Sequence, residues 1–83
     1  MRTRDEWREY VIRRAELHCR LLNLLPDDQP LAHVQPPGLA TMLGALCADL
    51  THRATVSERP QEEIEEGIER VLWNRIRDER EAA

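Results

Sequence analysis

GLATMLGALCADL, residues 38–50, is the one stretch of this 83-residue chain with an almost purely apolar face and no charge before Asp49. Leu39, Leu43, Leu46 and Leu50 recur at the spacing of a helical stripe, and Met42 and Cys47 widen it. Beside the stripe, Ala40, Gly44 and Ala48 stand one turn apart and form a strip of small residues against which another helix could pack closely. With two usable faces, this segment is expected to be the centre of the fold. The longest low-charge run around it, residues 36–48, holds two prolines and two glycines and falls short of the roughly 20 apolar residues of a membrane span. It therefore reads as a core helix and not as an anchor.

The flanking segments read as charged amphipathic helices. Upstream, a helix is expected over about residues 3–25, opened by a Thr3/Glu6 capping box and closed by Pro26. Trp7, Val11, Arg14, His18, Leu21 and Leu25 form one seam; Glu9, Arg13, Glu16, Arg20 and Asn23 form a face suited to solvent. Downstream, a third helix is expected over about 58–81, with Ser57 as its N-cap and residues 81–83 as a frayed tail. Its seam is Ile64, Ile68, Val71 and Arg75, with Leu72 and Ile76 beside it. Acidic residues precede basic ones along it, complementing the helix dipole, and Glu66–Arg70 has the spacing of an ion pair. Gly67 weakens the helix by about 1 kcal/mol relative to Ala and points to a close crossing.

Between the first two helices lies PDDQPLAHVQPP, residues 26–37, with four prolines in twelve residues. This proline-rich loop (26–36) reads as a stiff linker of fixed reach, with Leu31 and Val34 available as plugs for the end of a bundle. The central helix then spans about 37–54. No strand-like alternation, internal repeat or low-complexity segment occurs. The whole chain, 1–83, thus reads as a single all-α domain, a small three-helix bundle. A chain this short buries only about 60–65% of its unfolded surface, so homodimerisation or a bound partner is expected to complete it.

Composition narrows the function classes. Charged residues make up 34% of the chain, the net charge is −4, and all twelve basic residues are Arg. The absence of Lys suggests a GC-rich bacterial or phage genome. The charged N-terminus, MRTRDEWREY, lacks the apolar core of an export signal, so a cytoplasmic protein with reduced thiols is expected. His18, Cys19, His33, Cys47 and His52 form none of the spacings that place metal ligands on one face, and the three glycines make no phosphate loop, so neither metal nor cofactor is implied. Cys19 and Cys47 lie within apolar stripes, where burial suppresses thiolate chemistry. An enzyme is not expected.

Nucleic-acid binding has the electrostatics against it. The turn at residues 55–57 could join a helix-turn-helix, but the reading helix would then present six Glu to phosphates. A DNA-binding regulator or antitoxin is one alternative, to be recognised by steeply salt-dependent DNA binding; an oligomeric phage or shell component is another, to be recognised by a large closed assembly. The preferred expectation is a small adaptor, inhibitor or regulatory subunit that binds another protein or itself through helical faces. The candidate contact residues are Trp7, Arg14, His18, Arg70, Trp73 and Arg77. Arg14 and His18 stand where a bland seam would place Leu, with Glu65 or Glu69 as natural counter-charges. Trp73, with Arg70 or Arg77 beside it, has the composition of an interface anchor.

Overall fold

The computed structural model describes residues 1–82 and is built from three α-helices, α1 (Arg4–Leu21), α2 (Pro37–Val56) and α3 (Gln61–Ala82), with a 3-10 turn at Leu31–His33. The all-helical reading and the single three-helix bundle are both present. The helices run up, down and up, so α1 and α3 point the same way, with Arg2 paired to Glu65 and the His18 ring beside Trp73. None of the helices is long and apolar enough to cross a membrane, among the residues described.

The start of α1 is as the sequence dictates. Glu6 N–H donates to Thr3 Oγ1 at 3.3 Å, and Thr3 N–H donates to Glu6 Oε1 at 2.9 Å, which satisfies two orphan amides reciprocally. The end is not. α1 stops at Leu21, four residues short of the expected boundary, because Asn23 takes a left-handed backbone (φ 59°). Asn23 N–H then donates to the Arg20 carbonyl at 3.0 Å and Leu24 N–H to the Cys19 carbonyl at 2.8 Å. That pair of bonds is the Schellman arrangement, and Asn is one of the few residues that accepts its geometry. The helix is therefore closed by Asn23 before Pro26 can act.

The turn carries the chain back onto α1. Leu31 N–H donates to Glu16 Oε2 at 2.9 Å, Arg20 Nη2 donates to the Gln29 carbonyl at 2.8 Å, and Gln35 N–H donates to the Leu24 carbonyl at 3.0 Å. Glu16 and Arg20 thus fasten the proline-rich segment and do not simply face solvent. Val34 is completely buried and Leu25 nearly so, while Leu31 is half-buried. The Gln35–Pro36 peptide bond is cis.

In α2 the leucine stripe is the core face: Leu39, Leu43, Cys47 and Leu50 are buried, with Met42 and Leu46 packed at its edge. The buried Thr51 hydroxyl is satisfied by the Cys47 carbonyl at 2.7 Å. The small-residue strip has a different fate. Gly44 and Ala48 are exposed, and a Cβ built on Gly44 would meet nothing within 4 Å. α2 therefore uses one face inside the chain, and the central helix is α1, which packs along both others while α2 and α3 meet only briefly.

α3 begins at Gln61 and not at 58, because Pro60 disfavours helical geometry in Arg59. The first helical amides, of Glu63 and Ile64, donate to the Pro60 carbonyl at 3.0 and 3.2 Å, and Ser57 Oγ instead accepts from Arg59 N–H within the turn. The core side of α3 is Ile68, Leu72 and Ile76, so the seam is rotated from the expected one; Val71 is 40% exposed and Arg75 is exposed. The helix continues through Glu81 to Ala82, where fraying was expected, and Ala83 lies outside the described residues. Among the described residues Glu66 and Arg70 do not pair; the helical pairs are Glu9–Arg13, Asp49–Arg53 and Arg75–Glu79.

Candidate functional site

The polar positions on the α1 seam converge on one α3 carboxylate. Arg14 grips Glu69 as a fork, Nε on Oε1 and Nη2 on Oε2 at 3.1 Å. His18 Nε2 lies 2.8 Å from Glu69 Oε2 and donates to it, so Glu69, of the two carboxylates expected, takes both partners. The other, Glu65, pairs with Arg2, whose guanidinium also lies over the rings of Trp7 and Tyr10 at 4.9 and 4.2 Å. Burial by itself would raise the Glu69 carboxyl; the hydrogen bonds from Arg14 and His18 outweigh it and hold the group below its ordinary value of 4.5. Burial raises the neighbouring Tyr10 phenol, and the charges of Glu69 and Glu65 push it further.

His18 is the most buried member, with a side chain 10% exposed, and its Nδ1 has no partner among the described residues. Its ring faces Trp73, with centroids 5.3 Å apart at 59°. Trp73 is itself half-buried. Arg77 follows one turn later, donating to Asn74 Oδ1 at 3.4 Å. Of the six candidate residues, then, Arg14, His18 and Trp73 form one cluster and Arg77 borders it. Trp7 is 2% exposed and belongs to the core, where it meets Tyr10 edge to face. Arg70 points elsewhere, with Nη2 folded back toward Gly67.

Two residues that the seam analysis did not place as surface contacts complete this flank. Leu17 is 38% exposed and Leu21 64%, one turn apart on the side of α1 that carries Arg14. Leu21 leaves the core because α1 ends there and Leu25 takes the buried place beyond the Asn23 turn. A hollow of about 500 Å³ beside Tyr10, Arg14 and Leu17 continues the same surface. The available signal was Leu17 itself, an aliphatic residue off the seam among charged neighbours.

No protein-family model matches the chain, and no curated protein or solved structure is similar to it at a significant level. The side chains alone therefore carry the functional reading.

The Glu69 carboxylate is engaged by three donors, and Arg14 keeps it ionised, so it is not poised to exchange a proton near neutrality. Both cysteine thiols are buried and pushed up to about 11, chiefly by burial. They are expected to resist alkylation by iodoacetamide at pH 8 in the folded protein and to react fully in urea. Rapid modification of either without denaturant would contradict the packing around them. His18→Leu is expected to fold and to shift stability by no more than about 1 kcal/mol, because the Arg14–Glu69 fork remains and no charge is stranded. A variant with no helical circular dichroism would make the histidine an indispensable structural member.

Proposed function

We propose that the chain is a small non-catalytic interaction module, an adaptor, inhibitor or regulatory subunit, that binds another protein through the α1–α3 flank. The supporting observation is Trp73, half-buried against the His18 ring that Glu69 holds, on a flank where α1 also exposes Leu17 and Leu21 on its Arg14 side. A rigid aromatic anchor rimmed by aliphatic and Arg side chains is the composition of interface hot spots, and little conformational entropy is lost when it is already fixed. The helix-turn-helix alternative is less well supported: the short connection between α2 and α3 suits it, but the first turn of α3 presents Glu62 and Glu63.

The test uses Leu21→Glu, since Leu21 is too exposed to matter for folding. Wild-type and variant chains are immobilised and offered the same cell extract; any protein retained only by the wild type is purified and titrated back. Binding weakened about tenfold or more in the variant is the expected result. Equal retention by both, or no partner that rebinds once purified, would overturn the proposal. Self-association that sediments as a dimer and is lost in Leu21→Glu would identify the partner as a second copy.

A further inference from the structure

A second surface lies on the other side of α3. Because α2 and α3 meet only briefly, an open groove of about 430 Å³ runs between them. Leu50, Ala54 and Ile68 form its buried floor, while Ile64 and Val71 stand half-buried or exposed along one wall. Gly67 lies on that wall, and a Cβ there would meet only the Arg70 guanidinium, at 3.9 Å. The glycine is therefore not explained by close packing inside the chain, yet it lowers the wall where an incoming helix would cross.

The groove also has a distinctive charge. Its lining carries three guanidinium groups, from Arg53, Arg59 and Arg70, against the single carboxylate of Glu63, on a chain whose net charge is −4. Arg53 is held by Asp49, but neither Arg59 nor Arg70 has an ion-pair partner among the described residues. We infer that this groove accepts an amphipathic helix of a partner protein, its apolar stripe on Leu50, Ile68 and Val71 and its acidic flank on Arg59 and Arg70. An apolar floor with a basic rim fits the helix-in-groove mode of recognition. A second copy docking the same face would set guanidinium groups against each other. A nucleic-acid backbone would leave the apolar floor uncovered. Rim charges chiefly steer and select, and the chain's distant acidic groups are screened beyond about 10 Å in ordinary buffer.

This inference rests on the reading of the chain as an interaction module but concerns a different face, so the two can fail separately. The probe is a fluorescein-labelled designed peptide of about 16 residues, with Leu at helical spacing and Glu on both flanks. Its counterpart carries Lys in place of Glu. By fluorescence anisotropy the acidic peptide is expected to bind about tenfold more tightly than the basic one at low salt. The Arg59→Glu/Arg70→Glu double variant should reverse that preference, and Val71→Glu should abolish binding of the acidic peptide, with helical circular dichroism unchanged in each. Leu21→Glu should leave peptide affinity unaltered. Equal affinity for both peptides, no binding of the acidic peptide, or unchanged affinity in Val71→Glu would overturn the inference. So would a dimer that Val71→Glu dissociates, since the occupant would then be a second copy. Peptide binding that survives while no partner is found for the Trp73 flank would sink the proposed function alone.

Discussion

Val34→Asp is expected to remove at least a third of the stability of the domain, a loss of about 4 kcal/mol against a total of roughly 4–12 kcal/mol for a chain of this size. Val34 sits in the segment with the least regular structure, yet it is completely buried within the hydrophobic core cluster, where a carboxylate would lose its hydration. Ala32→Asp, two residues away at an exposed position, should change stability by no more than about 0.5 kcal/mol. Val34→Ala should fall between them, at about 1–2 kcal/mol, from lost burial and a small cavity. Urea denaturation followed by far-ultraviolet circular dichroism gives all three values. Indistinguishable midpoints for the two Asp variants would mean that the proline-rich segment is a tether after all, and that the bundle core closes without it.

That comparison marks where the sequence was legible and where it was not. Helical periodicity identified α2 from Leu39, Leu43 and Leu50, and the Thr3/Glu6 box located the start of α1, because both signals are local. The placing of the loop is not local. Val34 is one apolar residue among prolines, and nothing in its own neighbourhood says that Glu16 and Arg20, a turn apart on α1, will hold the backbone just before it, at Leu31 and Gln29. Those two residues belong to what reads as a solvent face, since a helical wheel scores a charged side chain as exposed whether or not it has a partner. The same blindness hid the centrality of α1. Its charged flanks are engaged by Glu69 on one side and by the loop on the other, so it is covered more fully than its composition suggests. α2, apolar enough to look central, leaves Gly44 and Ala48 of its small-residue strip bare.

The candidate site shows the converse. Arg14 and His18 were conspicuous because they interrupt a seam, and burial requires that such groups be matched. The requirement correctly led to an acidic residue on the third helix, and helical spacing reduced the choice to Glu65 or Glu69. Deciding between them took the crossing of α1 and α3, which no single-helix pattern contains. Trp73 was noticed for standing off its own seam. Its packing on His18 was not legible, because it depends on the same crossing.

Glu69→Ala is therefore expected to have the largest effect of any substitution in this cluster, about 2 kcal/mol, and more than Arg14→Ala or His18→Ala. Removal of the carboxylate strands two donors at once: the Arg14 fork, which is partly exposed, and the His18 ring, which is buried and already has an unpartnered Nδ1. It also releases Trp73, whose near-ultraviolet circular dichroism should weaken. Acid makes the same change reversibly. Glu69 is held below 4.5 in the folded chain, so the unfolded state binds more protons as the pH falls, and this contribution is complete above about pH 5 and lost progressively below 4.5. Urea midpoints of the wild type and Glu69→Gln should accordingly differ at pH 7 and converge as the pH falls below 4. A constant difference across that range would show that Glu69 acts through packing and not through its charge. In that case the His18–Trp73 contact would have to be held by the helix crossing alone, and it would persist in acid.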